Sequence, residues 1–556
     1  MQPPRAHMPA GGQAVAAVPG PLDGADQLDA LCALADLADP SALAAESVRV
    51  AAGLALVALG ASDVAPSPRD RRFSDPTWSE NPFYRRWAQA YLVWSESVER
   101  LASTPRLQAD WRRESRARSA ATKLVDAAAP SNVLLGNPAA LKRAFETGGS
   151  SLVRGWRNAM RDVLSNGGMP RQVDGRQFKV GESVAATPGA VIYRDDLFEL
   201  LQYAPSTPRV RARPLLMVPP QINKHYFLDL APGRSLTEYV VEQGIQYFTM
   251  VWRNPGPEHG GWGLDDYVAA QLRAMDVVRE VSGSDRLGLL GACAGGLTGA
   301  LMLGHLADDG GAEAVSSATF AISMLDSRYP NPMAAIATER TMRAVADDVA
   351  RGEVYDSEQI ARAFAWMRPN DLVFNYVVNN WLLGEDPPAF DILAWNNDGT
   401  NLPSRFYAEM LDVYAHNRAA TAGAIEVLGT PIDLGRVDCD NFVVAGMTDH
   451  ITPWMPGYMT SQLLGGQSEV VVTTTGHIQT MVNPPGKPRA RYFAGPESGP
   501  DPEAWMAQAT AHDGSWWPLY ADWLVARSGD EGDAPSKMGS RRHRPIEPAP
   551  GRYVRG

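Results

Sequence analysis

The chain has 556 residues, a formal net charge of −12 at pH 7 and an apolar content of 45%, and its pI is near 5.3. Such a composition is typical of a large globular protein, whose length allows more than one domain. The acidic balance argues against broad nucleic-acid binding, which requires a basic face. Three widely spaced cysteines argue against a disulfide scaffold or a zinc site and favour a reducing cytoplasm.

The amino-terminal third of the sequence predicts a disordered segment followed by a helical region. Residues 1–25 are rich in Ala, Gly and Pro, which favours disorder. Across 26–185 apolar residues recur at helical spacing, with Ser41 as a candidate N-cap. The apolar run Val50–Ala61 is too short to span a bilayer, which takes about 20 residues, and predicts a packed helix. We therefore expect no transmembrane segment, and no secretory signal is evident.

From residue 186 onward, short strand-like runs alternate with helical stretches. This alternation predicts an α/β domain over 186–530, with a mostly parallel sheet covered by helices on both faces. The interval 326–430 lacks a comparable strand run and predicts a cap inserted over the carboxyl ends of the strands. The polar segment 531–556 is expected to be an extended tail. The clearest strand-like runs are 214–220, 246–252, 286–291, 317–325, 441–446 and 468–475.

The stretch "LLGACAGG" places Cys293 between one of these strands and a predicted helix. Gly-x-nucleophile-x-Gly in that context is the pattern of a nucleophile elbow. The sharp turn strains the nucleophile's backbone and brings other backbone so close that glycine is needed, here Gly291 and Gly295. The amino terminus of the following helix lowers the pKa of a thiol. The alternative is a buried core cysteine in a glycine-rich turn.

Two residues further along the chain can complete a triad in the order nucleophile, acid, base. Asp449 follows the strand run 441–446, and His477 follows the run 468–475. Individually, the aspartate could cap a turn and the histidine could be an ordinary loop residue. Together, their order and placement favour a Cys–His–Asp site. His450 is expected to lie in the same loop as Asp449 and to support the triad indirectly.

An oxyanion hole in this arrangement is expected to use the backbone N–H of Ala294 and one N–H from the loop after an early strand. That loop begins with Pro219 and Pro220, which cannot donate. The donor therefore lies within 221–223, and we favour Ile222.

A thiol nucleophile indicates the kind of acyl group that is transferred. Transfer of an acyl group from one thiol to another is nearly balanced in free energy, because both thiols have pKa values of about 8.5. A hydroxyl acceptor can then take the acyl group downhill as an oxygen ester. The predicted site therefore favours acyl transfer from a thioester to an alcohol over hydrolysis. A cap would protect the acyl-enzyme from water.

Several longer motifs resemble those of the polyhydroxyalkanoate synthases, bacterial enzymes that polymerise (R)-3-hydroxyacyl-CoA into storage polyester. The resemblance extends from about residue 70 to the end and includes "PLLMVPPQINKHYFLDL", "LLGACAGG", "FDILAWNNDGTNLP", "VVAGMTDHITPW" and "GHIQTMVNPPG". It implies an α/β-hydrolase fold with a mobile cap. It also implies Cys293 as nucleophile, Asp449 as the aspartate and His477 as general base. CoA would leave from the substrate, and no cofactor or metal is expected.

The same resemblance implies partners and a location. We expect a homodimer at the surface of a cytoplasmic polyester granule, with phasins among its partners and no nucleic acid. The helical amino-terminal region would serve dimerisation and granule association. "NNWLLGEDPPAFDIL" is similar to the medium-chain type, whereas "IEPAPGRYV" is similar to the short-chain type. We therefore expect medium-chain or mixed substrates.

Two other functions stay open on the sequence alone. One is a cysteine hydrolase of the same fold that acts on esters or lactones, against which the long cap and the helical region argue. The other is a non-catalytic granule-coating protein, against which the intact set Cys293, Asp449 and His477 argues.

Four further residues have open roles. Trp395 and Asn396 in the cap could line a substrate channel or pack the cap, and packing is favoured for Trp395. Lys224 and Arg253 could contact CoA phosphates or could be solvated surface charges.

Overall fold

An eleven-stranded β-sheet forms the centre of the structure, a computed structural model that describes residues 39–556. The predicted disorder of residues 1–25 lies outside the described residues. The sheet has the spatial order β10-β9-β8-β7-β6-β5-β3-β4-β2-β1-β11. In chain order its strands are β1 (Gly189–Arg194), β2 (Phe198–Tyr203), β3 (Leu215–Val218), β4 (Tyr247–Trp252), β5 (Leu287–Ala292), β6 (Val315–Ala321), β7 (Asp440–Gly446), β8 (Ser468–Thr473), β9 (Arg491–Pro496), β10 (Thr510–Asp513) and β11 (Glu547–Pro548).

The six strands from β4 to β8 in this spatial order run parallel to one another. Continuous apolar runs form them because both faces of a parallel sheet are covered. Antiparallel strands flank them, β9 and β10 on one side and β2, β1 and β11 on the other. The predicted parallel core is confirmed, but the complete sheet is mixed.

Two hydrophobic clusters lie on opposite faces of the sheet. Neighbouring residues of one strand belong to different clusters, as Leu289 and Leu290 do in β5 and Val443 and Val444 do in β7. This separation follows from the geometry of a strand, in which successive side chains point to opposite faces. The α/β region therefore has a core on both sides of its sheet.

The region before the sheet is helical, as predicted. Helix α1 begins at Pro40 because the Asp39 carboxylate accepts the N–H groups of Ser41 and Ala42, so the N-cap lies two residues before the predicted Ser41. Single turns at 77–80 and 105–108 separate the longer helices. These longer helices are α1 (Pro40–Leu59), α2 (Pro82–Leu101), α3 (Trp111–Ala127), α4 (Pro138–Glu146) and α5 (Ser150–Ser165).

Helix α1 differs from the packed helix predicted over Val50–Ala61. It is 20 residues long, and only Glu46 and Val57 in it are buried. Its mean hydropathy of 1.7 and its length make it the one described helix that could cross a membrane by composition, a weak indication that many soluble proteins share. The prediction of a packed helix is therefore wrong for most of its surface.

Helix α5 buries its polar side and exposes its apolar side. Trp381 Nε1 donates to Asp162 at 2.8 Å, and Asn158 Nδ2 donates to the carbonyl of Asn380 at 3.1 Å. These contacts fix the polar side of α5 against a π-helical segment of the cap, 377–382. The exposed large side chains of α5 are Val153, Trp156, Met160, Val163 and Leu164.

The helices of the α/β region fall into two groups. Those packed on the sheet are α6 (Leu236–Glu242), α7 (Leu264–Ser282), α8 (Ala294–Asp309), α14 (Trp454–Met459), α15 (His477–Met481), α16 (Pro502–Gln508) and α17 (Trp517–Arg527). The segment between β6 and β7 adds no strand to the eleven-stranded sheet and occupies the place of the predicted cap. It contains α9 (Pro332–Ile336), α10 (Glu339–Arg351), α11 (Ser357–Ala365), α12 (Asp391–Asn396) and α13 (Ser404–Ala415).

The tail 531–556 is extended, as predicted, but it is also bound to the domain. Residues 531–533 pair with 209–211, and β11 pairs with β1 at the sheet edge. Beyond β11, the N–H groups of Arg552 and Tyr553 donate to the fully buried Glu199 at 3.1 and 3.0 Å. The last residues of the chain are thereby held beside the carboxyl ends of the parallel strands.

Candidate active site

Cys293 lies at the turn between β5 and α8, with the positive backbone angle φ of 52°. Such a backbone is costly for a non-glycine residue and is held only where the surroundings fix it. The Cys293 N–H donates to the carbonyl of Ala321 on the neighbouring strand at 2.9 Å. A Cβ on Gly295 would lie 2.3 Å from Val218 O, and one on Gly291 would lie 2.7 Å from Gly296 Cα. The predicted elbow is present, and both glycines are sterically required.

Asp449 and His477 form a buried hydrogen-bonded pair. His477 Nδ1 lies 2.6 Å from Asp449 Oδ2. The other oxygen, Oδ1, accepts the N–H groups of Ile451 and Thr452 at 2.8 and 3.0 Å. Asp449 reaches this position because it follows β7, while His477 begins the helix after β8, so parallel strands deliver both side chains to one edge.

Asp449 and His477 shift each other's pKa values in opposite directions. Burial lowers the pKa of His477, but the charge and hydrogen bond of Asp449 and contact with the Cys293 thiol outweigh burial and raise it to about 10. Burial raises the pKa of Asp449, but His477 and the two backbone N–H groups outweigh it and hold the pKa below its usual value. The imidazole therefore binds a proton readily while the carboxylate stays ionised.

Cys293 and His477 open onto a cavity of about 600 Å³, within the range typical of small-molecule sites. Asp449 lies behind His477 and does not line this cavity. The cap supplies much of the wall, and apolar side chains dominate it. They include Met324, Met333, Phe364, Leu372, Leu393 and Met410.

The two predicted oxyanion donors, Ala294 and Ile222, also line the cavity. Neither backbone N–H has a hydrogen-bond acceptor within residues 39–556. Ala294 is the first residue of α8, where helical N–H groups lack intrahelical partners. The structure therefore leaves two donors free near the Cys293 thiol.

His450 is a cavity-lining residue rather than only an indirect partner of the triad. Burial, together with the charge of Arg368, lowers the pKa of His450 to about 4, so this imidazole is neutral at pH 7. Trp395 is buried and both packs and lines the cavity, while Asn396 lines the cavity at an exposed position.

Neither Lys224 nor Arg253 lines the cavity. Lys224 is buried, and its Nζ lies 2.6 Å from Asp398 Oδ1, so it is not the solvated charge of the alternative interpretation. The Arg253 side chain is 36% exposed, which agrees with that alternative, and its Nη1 lies 3.8 Å from Asp196 Oδ1. The interpretation of these two residues as CoA-phosphate contacts gains no support from their positions.

Sequence reasoning missed Thr452 and Arg362. Thr452 Oγ1 lies 2.9 Å from Asp449 Oδ2 and 3.2 Å from His477 Nδ1, and its spacing of three residues from Asp449 is the signal that could have revealed it. Arg362 lines the cavity from α11. The helical pattern of α11 contains no feature that distinguishes this arginine from its neighbours.

Comparison with known proteins places these features in a family. A family model described as the amino terminus of poly-beta-hydroxybutyrate polymerase (PhaC) matches residues 69–240, and an alpha/beta hydrolase fold model matches residues 223–484. Poly(3-hydroxyalkanoate) polymerase 2 of Ectopseudomonas oleovorans is 48% identical over 90% of this chain and 89% of its own. Polymerase 1 of that organism is 45% identical over 90% of this chain and 88% of its own.

A more distant relative gives the same result. The poly(3-hydroxyalkanoate) polymerase subunit PhaC of Cupriavidus necator is 39% identical over 90% of this chain and 85% of its own length. The catalytic region has the α/β-hydrolase fold, and the chain belongs to the poly(3-hydroxyalkanoate) polymerase family.

Proposed function

We propose that this chain polymerises (R)-3-hydroxyacyl-CoA into polyester with release of CoA, through an acyl-cysteine formed on Cys293. The observation that carries the proposal is the convergence of Cys293, His477 and two free backbone donors on one apolar cavity in a member of this family. No cofactor is needed for this chemistry, because the thioester itself supplies the activated acyl group.

In the first half of the cycle, His477 takes the proton of the Cys293 thiol. The thiolate attacks the thioester carbonyl, and the N–H groups of Ala294 and Ile222 stabilise the oxyanion. The bond from the carbonyl carbon to the CoA sulfur breaks, and CoA leaves as the thiol after His477 gives it the proton, so that His477 is neutral again. The ionised Asp449 stabilises the imidazolium.

In the second half, the 3-hydroxyl group of a monomer or growing chain attacks the acyl-cysteine. His477 accepts the hydroxyl proton, the new oxygen ester forms, and the Cys293 sulfur leaves and recovers that proton. The apolar cavity disfavours water as a competing acceptor. Asp449 orients His477 in this scheme, because its carboxylate is fully buried and lies behind the cavity wall.

The phosphates of CoA are proposed to lie near Arg362. This half-buried arginine lines the cavity, and no ion pair to it is formed by the described chain. The other cavity-lining arginine, Arg368, is paired with Asp371. An unpaired guanidinium is well suited to bind a phosphate.

The polyester surface is the partner that the exposed apolar side of α5 fits best. Trp156 is 69% exposed, Val163 57% and Leu164 79%, and monomeric soluble proteins rarely expose a large contiguous apolar patch. The exposed apolar side of α5 supports our proposal that the protein lies at the surface of cytoplasmic polyester granules. A homodimer and binding of phasins belong to the same proposal, and medium-chain or mixed substrates remain our prediction.

The proposal is tested with full-length protein and (R)-3-hydroxyacyl-CoAs of several chain lengths. Thiol release reports the first half of the cycle, and the composition of the insoluble product reports the second. We expect insoluble polyester and loss of both signals in Cys293→Ala. Release of CoA with soluble free acid would instead support a hydrolase. Unchanged thiol release in Cys293→Ala would overturn the acyl-cysteine.

A further inference from the structure

Part of the cap, the segment 395–400, is bound along the loop that carries the oxyanion donor Ile222. Trp395 Nε1 donates to the carbonyl of Lys224 at 2.9 Å, and Thr400 Oγ1 donates to the carbonyl of Gln221 at 3.0 Å. A backbone bridge joins Asn223 to the cap between these two contacts. Both ends of the loop 221–224 are therefore attached to the same short piece of the cap.

Asp398 is the charged centre of this attachment. Its Oδ1 lies 2.6 Å from Lys224 Nζ, and its Oδ2 accepts the hydroxyl of Tyr226 at 2.8 Å. Lys224 Nζ also donates to the carbonyl of Val554 at 2.7 Å, so the carboxyl-terminal tail shares the contact. The Lys224 side chain is only 6% exposed, and a buried ammonium of this kind depends on its ionic partner.

The position of this ion pair relative to Ile222 gives it a consequence for chemistry. Two prolines precede the loop and fix its start. Its other end leads into the buried turn 225–227, and Asp398 binds the side chains of Lys224 and Tyr226 at this end. Donors in an oxyanion hole must lie within a few tenths of an ångström of their working distance from the oxyanion. Movement of Lys224 would therefore displace the Ile222 N–H two residues away.

We infer that Asp398 is a positioning residue, which holds the oxyanion loop through Lys224 and Tyr226 and so supports the transition state without contacting the substrate. This inference rests on the proposed function. It assigns a role to a cap residue 174 positions along the chain from the lysine that it binds.

The principal test compares full-length Asp398→Asn with the wild type, using initial thiol release from (R)-3-hydroxyacyl-CoA. Because misplacement of a reacting group by about 1 Å can cost about 100-fold, we expect kcat to fall at least about 10-fold while KM changes less than about twofold. Alkylation of Cys293 by iodoacetamide should stay at the wild-type rate, since the triad does not depend on the loop. The matched control is Glu339→Gln, which removes an exposed ion pair with Arg343 on α10.

Tyr226→Phe provides a milder variant that removes only one hydrogen bond of Asp398. It should lower kcat about threefold, less than Asp398→Asn does, because the ion pair between Asp398 and Lys224 is retained. The double variant Lys224→Met, Asp398→Asn should be no worse than Asp398→Asn alone, because both changes release the same loop.

The possible outcomes separate the inference from the proposed function. A wild-type kcat in both Asp398→Asn and Tyr226→Phe would overturn the inference and leave the proposed function intact. Equal losses in kcat and in Cys293 alkylation would also overturn it, because they would indicate general unfolding. A wild-type protein that releases no CoA would instead overturn the proposed function.

Discussion

The catalytic sheet and helix α5 follow opposite patterns of burial. All of β5 and residues 442–446 of β7 are buried and lack polar side chains, and the polar triad enters only at the strand ends. In α5 the buried residues include Ser151, Asn158 and Asp162, while Trp156 and Leu164 face outward. A sheet that buries its own apolar surface needs no partner. A helix whose apolar side is exposed is expected to contact a partner outside the described residues.

The largest expected effect concerns the triad at the carboxyl ends of the parallel strands. Asp449→Asn should lower kcat about 10⁴-fold, because the amide would donate to His477 Nδ1 and favour the wrong tautomer. Thiol release from hydroxyacyl-CoA measures the loss, and binding to polyester should be unchanged. Reduced binding in this variant would mean that the two regions are not independent.

The second prediction tests the junction between the two regions. Arg362 lies in the cap beside Gly167, two residues beyond α5. Arg362→Gln should raise KM for the CoA thioester about 10-fold, since a charged hydrogen bond contributes about 1.5–3 kcal/mol. KM for the matching pantetheine thioester, which lacks the nucleotide phosphates, should not change. Arg343→Gln on α10 is the matched control, and an equal rise for both thioesters would contradict a phosphate contact.

A third prediction tests α5 itself. The double change Trp156→Asp, Val163→Asp should weaken co-sedimentation with polyester particles about 10-fold or more, since each buried apolar side chain contributes about 1.5–3 kcal/mol. Initial thiol release from soluble substrate should be retained. Arg157→Asp, on the same helix, is the control for charge alone. Unchanged sedimentation of the double variant would show that the polymer contacts another surface.

The smallest expected effect concerns stability and pH. The raised pKa of His477, about 10 against an ordinary 6.5, contributes stability that is complete below about pH 6.5. This contribution is lost as pH rises towards 10. The free energy of unfolding of the wild type should therefore fall relative to His477→Gln by at least about 1 kcal/mol between pH 6.5 and 9.5. Urea denaturation at both pH values measures this, and parallel curves would contradict the polarised pair.

The parts of the fold that the sequence predicted are those encoded locally. The runs 441–446 and 468–475 became β7 and β8 because they are continuously apolar and lie in a parallel sheet. Cys293 could be placed because an elbow needs glycines at fixed spacing. Strand β9 carries Gly495 and a proline at its end, a pattern typical of a turn, so its pairing with β8 and β10 decided its structure.

Long-range contacts account for most of what the sequence could not supply. A lysine is usually exposed, and the burial of Lys224 depends on partners far along the chain, the carboxylate of Asp398 and the carbonyl of Val554. The same holds for α5. Its helical period is evident in the sequence, but the side that faces outward is decided by the contact between Asp162 and Trp381. Periodicity defines the two sides of a helix, whereas the tertiary partner decides which of them is covered.

The attachment of 395–400 to the oxyanion loop also restricts how the site can admit substrate. Seven residues of this segment and the loop are joined by side-chain or backbone bonds, and Val554 is a further anchor. If these bonds broke to admit substrate, the oxyanion donor Ile222 would be displaced at every turnover. We therefore expect the movement that admits CoA to occur elsewhere in the cap, while the wall beside Ile222 stays in place.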